Sequence, residues 1–334
     1  MAALYRAVAP SNIALIKYWG KSDATSQWPA NDSLSMTLDH CRTVTTAVRC
    51  SSADHQVVLE DQQISRQEQG KIFAHIDRLC RATGHDGAKL DIVSRNTFPA
   101  GCGIASSASG FAALTLAVAG ALLEAGDLAA LAQAGYDREQ LADLARLGSG
   151  SACRSLTGGF VHWQRGAAAD GQKVTTCPGP ELADTIVVLS DKPKVVSSSA
   201  GHQTAWTSPL FAARIAGLPE RLNRMRRALA AGDAETFGPL LEQDALDMHA
   251  VMLSSTPALN YFAPETAAFL AWIRRTRQET KLPVWFTMDA GPNVHLISHP
   301  GDQERLVGLI RRTYPEYRLI SDRTGSGPEL SRTD

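Results

Sequence analysis

FPAGCGIASSASGFAALTLAVAGALLEAG, residues 98 to 126, changes character in its middle. Its first half is mostly glycine, serine and alanine, and its second half is apolar on nearly every side. A helix of that kind belongs inside a protein rather than on its surface, so the stretch predicts a core helix entered through a small-residue loop. Gly101 and Gly103 let the loop curl, while Ser106, Ser107 and Ser109 set hydroxyls where the helix begins. Free N–H groups and the helix dipole make such an end an anion site. Close packing of a small-residue helix against a neighbour would give the same pattern. Two nucleotide folds are excluded by the spelling: no Gly-Lys-Ser/Thr is present, and Ser106 stands where G-x-G-x-x-G needs its last glycine.

Before this helix the chain reads as strand, with TVTTAVR (43–49) alternating, VVLEDQQI (57–64) forming a hairpin, and KLDIVSR (89–95) returning to strand. Residues 66–83 carry Ile72, Ile76 and Leu79 at helical spacing. After it, residues 127–147 are helical, with Asp137 as N-cap and Gln140 completing a capping box. GGFVHW turns back into strand, and a polar segment, 164–182, precedes the strand DTIVVLS. Helices follow at about 208–231, 233–253, 264–280 and 301–314. The pattern predicts an α+β protein of two domains, residues 1–183 and 184–334, the second a sheet covered by helices.

The totals fit an ordinary globular protein. The 334 residues are 44% hydrophobic, and 33 Lys and Arg against 34 Asp and Glu leave a net charge of −1. No global field draws the chain to nucleic acid or to an anionic membrane, so an anionic ligand has to be met locally. The six cysteines are scattered, without zinc spacing, as reduced thiols of a cytoplasmic protein are. No signal segment is visible, and no apolar run approaches the roughly 18 residues of a membrane span.

Four further stretches could carry chemistry. RLGSGSACRSLTGG (146–159) brings Ser149, Ser151 and Arg154 within a turn or two; the guanidinium can grip a carboxylate or phosphate, or sit solvated at a loop edge. In IALIKYWGK (13–21), Lys17 is held between an apolar run and the rings of Tyr18 and Trp19, where a charge counts for more than in water; a snorkelling lysine fits too. SDKPKVVSSSAGH (190–202) sets Lys192 and Lys194 ahead of Ser197, Ser198 and Ser199, either a polyphosphate grip or a solvated loop. Asp289 in DAGPN (289–293) lies where a strand gives way to a turn, which turn chemistry alone would explain. The nine histidines show no H-E-x-x-H or triad context, and His249 with Met252 reads as helix packing.

Taken together and in order, IKYWGK (16–21), FPAGCGIASSASGF (98–111), GSGSACRSLTGGF (148–160) and MDAGPN (288–293) resemble the diphosphomevalonate decarboxylase family, a branch of the GHMP kinase superfamily. The resemblance spans nearly the whole chain. It implies an N-terminal domain like ribosomal protein S5 domain 2, a ferredoxin-like C-terminal GHMP domain, and an active site between them. It also implies ATP and Mg2+ as cofactors, mevalonate 5-diphosphate as substrate, and a cytoplasmic homodimer that binds neither nucleic acid nor membrane. Asp289, Lys17 and Arg154 then match catalytic positions: the carboxylate orients or deprotonates the 3-hydroxyl, Lys17 stands beside it, and Arg154 holds the substrate carboxylate. Asn12, Tyr18, Ser149, Ser151, Ser198 and Ser199 match substrate contacts, with Trp19 a wall. Gly101, Gly103, Ser106, Ser107 and Ser109 match the ATP-phosphate loop, and only Ser107 is expected near the Mg2+.

Three residues depart from the family pattern. Ser199 stands where many bacterial relatives have Arg, His202 where they have Met, and Asp32 where Ser is usual. Asp32 is expected to add negative charge near the diphosphate end, which bears on a 5-diphosphate against a 5-monophosphate. The same superfamily offers a phosphomevalonate decarboxylase and a mevalonate 3-kinase as alternatives, and a non-catalytic metabolite sensor from another class.

Overall fold

The computed structural model describes residues 3–60, 66–99, 104, 106–166, 173–190 and 196–334. In its first half run β1 (Leu4–Ile16), β2 (Lys21–Asp23), β3 (Trp28–Pro29), β4 (Ser33–Cys50), β5 (Gln56–Leu59), α1 (Arg66–Ala82), β6 (Lys89–Asn96), α2 (Ser106–Leu123), α3 (Leu128–Gln133), α4 (Arg138–Gly148), β7 (Phe160–Gln164) and β8 (Lys173–Cys177). The second half has β9 (Ala183–Val188), α5 (Ser198–Thr204), α6 (Phe211–Ala231), α7 (Ala234–Leu253), α8 (Thr266–Thr280), β10 (Val284–Thr287), β11 (Val294–Ser298), α9 (Gln303–Thr313), β12 (Arg318–Arg323) and β13 (Glu329–Thr333).

One sheet has the order β13-β1-β4-β6-β5, with β7 on the far part of β4 and β8 beyond it. The β-branched run of β4 gives the long central strand its fit to a pleated, buried surface. α2 crosses β1 and β4 with α1 and α4 beside it, burying the residues from Ala112 to Leu122 without a break. Length and composition would let this helix cross a membrane; the sequence expectation that no run is long enough is corrected, and packing on every side is what makes it a core helix. The capping box is present: the Asp137 side chain takes the N–H groups of Glu139 and Gln140, and Gln140 returns a bond to the Asp137 N–H.

Two strand expectations change. β5 pairs in parallel with β6 as an edge strand, not as the first arm of a hairpin, and residues 61–65 lie outside those described. β8, inside the polar segment 164–182, pairs with β7; its solvated face left no apolar signature.

The second sheet, β10-β11-β9-β12, is antiparallel throughout. Alternation along its strands sends Trp285, Ile297 and Ile186 into a core shared with Ile13, Leu15, Met36 and Leu38 of the first sheet. Val284, Phe286, Val187 and Leu296 pack on the other side against Phe269, Ile273, Leu306 and Ile310 of α8 and α9. The chain's last strand, β13, returns to pair with β1.

The seam between the sheets is also where β1 becomes irregular. Its register with β4 shifts between Pro10 and Asn12 and again between Ala14 and Ile16. Bulges re-aim the side chains that follow, and those that follow here are Asn12 and Lys17.

Candidate active site

A cleft of about 940 Å³ opens along this seam. Its described walls carry six cations, Lys17, Lys21, Lys71, Arg78, Arg95 and Arg154, and a single carboxylate, Asp289. A neutral protein has thus gathered a strongly positive cavity, the local meeting place that the overall charge required.

Asp289 lies two residues past the end of β10, and its position is fixed through the backbone. Its carbonyl accepts the Gly291 N–H at 2.8 Å and a hydrogen bond from His249 Nε2 at 3.1 Å. Burial, then the charge of Lys17, brings the His249 pKa down to about 4, so the ring is neutral with its proton on Nε2, where it donates to that carbonyl. Asn293 closes the turn by accepting the N–H groups of Leu189 and Ser190 at 2.9 and 3.1 Å. His249, read from sequence as packing alone, therefore anchors the turn.

Lys17 Nζ lies 2.7 Å from Asp289 Oδ1, and Lys17 is almost wholly buried. Burial raises the Asp289 pKa, but the Lys17 charge and hydrogen bond outweigh it and leave the carboxyl below its ordinary range. Burial lowers the Lys17 pKa, and Asp289 only partly restores it. The lysine backbone is held from both halves of the chain: its N–H donates to Asp244 at 2.7 Å, and its carbonyl accepts from Asn31 at 2.9 Å. Asp244 is itself held by Arg214 and Arg221 at 3.1 and 2.8 Å.

Arg154 sits in a 3₁₀ turn, Gly150–Leu156, and is 4% exposed. Nε and Nη2 both donate to Asn12 Oδ1, at 3.2 and 3.1 Å, and Nη1 donates to Ser33 Oγ at 2.8 Å. No carboxylate within salt-bridge distance pairs with it among the described residues; burial lowers its pKa and the charge of Asp289, further off, raises it. An unpaired buried cation costs several kcal/mol, so the arrangement asks for an anionic ligand. Gly150 lets the turn approach, because a Cβ there would lie 2.8 Å from the Tyr18 hydroxyl oxygen.

The remaining expected residues divide. Tyr18, Trp19, Ser106, Ser107, Ser149, Ser151, Ser198 and Ser199 line the cleft, and Ser149 Oγ lies 3.3 Å from Ser107 Oγ. Asn12 is not among the lining residues; it is 1% exposed, and its Oδ1 accepts from Arg154. Ser109 is corrected from phosphate contact to packing, since its hydroxyl is buried against Thr43 Oγ1 at 2.7 Å. Asp32 is not among the residues that line the cleft; it accepts the Arg165 N–H at 2.7 Å and lies 3.0 Å from His162 Nε2. Gly101, Gly103, Lys192 and Lys194 lie outside the described residues.

Lys21, Lys71 and Arg78 received no role from the sequence. Lys71 and Arg78 lie seven positions apart on α1, a spacing that puts them on one helix face, which is indistinguishable from an ordinary solvated stripe without the tertiary fold. An apolar end formed by Val57, Leu59, Ile72 and Leu114 adjoins them.

Comparison with known proteins agrees along the chain. Residues 9–175 match the family described as the diphosphomevalonate decarboxylase-like N-terminal domain, and residues 185–330 match the mevalonate 5-diphosphate decarboxylase C-terminal domain. The diphosphomevalonate decarboxylase of Candida albicans is 36% identical over 326 residues, covering 92% of this chain and 87% of that protein. Mevalonate diphosphate decarboxylase from Staphylococcus aureus is similar in structure, with a TM-score of 0.89 and 31% identity over 99% of this chain and 98% of the other. A structure described as MDDEF in complex with MVAPP, AMPPCP and magnesium has a TM-score of 0.90 and 30% identity, with all of both chains covered.

Proposed function

The chain belongs to the diphosphomevalonate decarboxylase family, and from that premise we propose that its cleft takes mevalonate 5-diphosphate and ATP with Mg2+ and converts the substrate to isopentenyl diphosphate. The observation that carries this is Asp289, the single carboxylate among the described walls of a cationic cleft, bound to buried Lys17 in a cleft that also holds Arg154, which has no carboxylate partner within salt-bridge distance among the described residues. A relative solved with MVAPP, AMPPCP and magnesium supports the same set of ligands here.

The 3-hydroxyl of the substrate is a tertiary alcohol and attacks poorly unless oriented. Asp289 accepts its hydrogen bond and takes the proton as the oxygen bonds to the γ-phosphorus and ADP departs. A loose phosphoryl-transfer transition state needs little deprotonation of the nucleophile, which suits a carboxylate held below its ordinary pKa. Lys17 keeps Asp289 ionised and balances charge on the phosphoryl oxygens. The C3–O bond then breaks with its electron pair leaving on phosphate. The pair of the C1–C2 bond becomes the new double bond, and CO2 departs. Arg154 holds the carboxylate during that step. The Tyr18 hydroxyl and the Trp19 indole N–H, both buried without a partner among the described residues, supply donors to ligand oxygens, since leaving them unsatisfied costs about 1–3 kcal/mol each.

Ser106 and Ser107 at the start of α2 are placed at the ATP phosphates, with the apolar end of the cleft at the base. Mg2+ would be met there by Ser107, with Ser149 beside it, and would supply positive charge against the nucleotide's phosphates. The donor set fits an ion that arrives with the nucleotide: among the described residues no group of three His, Cys, Asp or Glu could hold a metal, and Ser107 with Ser149 offers only hydroxyls. Calorimetry on nucleotide-free protein is therefore expected to detect no Mg2+ binding tighter than the millimolar range, whereas Mg2+ strengthens ATP binding. A tight Mg2+ site without nucleotide would overturn this placement.

We place the domain division at 183/184, β13 excepted, and carry over from the family a cytoplasmic homodimer, which sedimentation would test for assembly. The activity is tested by CO2 and ADP release given ATP, Mg2+ and either mevalonate 5-diphosphate or its 5-monophosphate. Equal release of both products from the diphosphate alone is expected; ADP without CO2, or CO2 from the monophosphate alone, would overturn the reading.

A further inference from the structure

Residues 198–207 hold the turn that carries Lys21 at three points. His202 Nδ1 accepts the Gly20 N–H at 3.0 Å, the Trp206 indole N–H donates to the Lys21 carbonyl at 2.9 Å, and Lys21 Nζ reaches Ser199 Oγ at 3.3 Å. Gly20 is the hinge of this turn. Its φ of +86° is the left-handed region, a Cβ there would meet the Phe211 ring at 2.4 Å, and its carbonyl accepts the Ala30 N–H at 3.2 Å to close the β2–β3 loop.

The His202 ring has one available tautomer in this arrangement. A backbone N–H can only donate, so Nδ1 is the acceptor and the ring proton sits on Nε2. The ring lies between Tyr18 and Trp19, with centroids 4.3 and 4.5 Å away and interplanar angles of 33° to each. Burial first, then the charges of Lys21 and Arg154, takes its pKa well below the ordinary histidine value. It is a fixed, neutral acceptor.

We infer that His202 is a positioning residue, which by accepting the Gly20 N–H keeps Lys21 inside the cleft for the phosphate end of the substrate. The inference rests on the cleft being a site for a phosphorylated substrate. The groups around Lys21 are Ser199 of α5 and Lys71 of α1, with Lys17, Arg154 and Asp289 elsewhere in the cleft. Burial, then repulsion from Lys71, brings the Lys21 pKa down to about 8. Without the Gly20 bond the hinge relaxes and Lys21 moves to solvent.

Two variants separate the parts. His202→Asn can put Oδ1 where Nδ1 was, and His202→Phe keeps a stacked ring but has no acceptor. The pH dependence of Lys21 acylation, followed by mass spectrometry on the ligand-free protein, is expected to have its midpoint near 8 in the parent and the Asn variant. In the Phe variant it moves above about 9.5, toward the value of a solvated lysine. The Phe variant should also raise KM for mevalonate 5-diphosphate about tenfold, with kcat and KM for ATP changed less than about threefold, and Asn should recover most of the loss. An unmoved labelling midpoint in the Phe variant, or equal loss in both variants, would overturn the role of His202. A parent protein that releases no CO2 would overturn the substrate reading instead, and labelling would still decide the clamp.

Discussion

Asp289→Asn is expected to lower kcat by on the order of 10³-fold while ATP binding stays within about threefold. The amide keeps the shape of the carboxylate and the turn stays anchored, because His249 and Gly291 bond to the backbone carbonyl rather than to the side chain. What is lost is the group that accepts the hydroxyl proton and the negative partner of Lys17. The two losses separate by pH. In the parent, Asp289 offsets part of the burial that lowers the Lys17 pKa; without it the folded-state value falls further below that of the unfolded chain. Between those two values the unfolded state binds the extra proton, so stability rises with pH across the window. The variant's melting temperature should therefore gain more than the parent's between pH 7 and about 10. Steady-state rates with calorimetric ATP titration test the first statement, and melting against pH the second. Near-parental turnover would remove Asp289 from its catalytic role.

The parts of this arrangement that could be read from the chain are those with a short reach. The Asp137 capping box needs only residues three apart, and the buried α2 needs only an unbroken apolar run. β8 escaped because an edge strand with a solvated face, such as KVTTC, has no apolar alternation to detect. The site is assembled over longer spans. Lys17 and Asp289 are 272 positions apart, and Asn12 and Arg154 are 142 apart. No local periodicity links such residues, so resemblance alone gave them a common place. Resemblance in turn could not tell a wall from a support. Asn12 became a support for Arg154, the Ser109 hydroxyl turned to Thr43, and Asp32 was drawn to His162. Each of these partners lies at least 66 positions away in the chain, beyond any local pattern.

Arg154→Ala should reduce kcat/KM for mevalonate 5-diphosphate by on the order of 10²- to 10³-fold, the usual consequence of truncating one side of a buried charged pair. Nucleotide affinity should change less than about threefold, because the side chain is tied to Asn12 and Ser33 rather than to the serines that begin α2. The step affected also differs from that of Asp289. A substrate carboxylate no longer held can still have its 3-hydroxyl phosphorylated, but the C1–C2 bond is no longer aligned with the departing phosphate. ADP formation in a single turnover should then outrun CO2, whereas Asp289→Asn suppresses both together. Arg154→Lys is expected to recover little, since an ammonium cannot use the Asn12 oxygen and a ligand carboxylate through one planar fork. Substitution leaves Asn12 Oδ1 and Ser33 Oγ without this partner, so melting temperature has to be measured beside the rates. Equal falls in ATP affinity and substrate affinity would place Arg154 on the nucleotide, and a product ratio held at one would free it from the decarboxylation step.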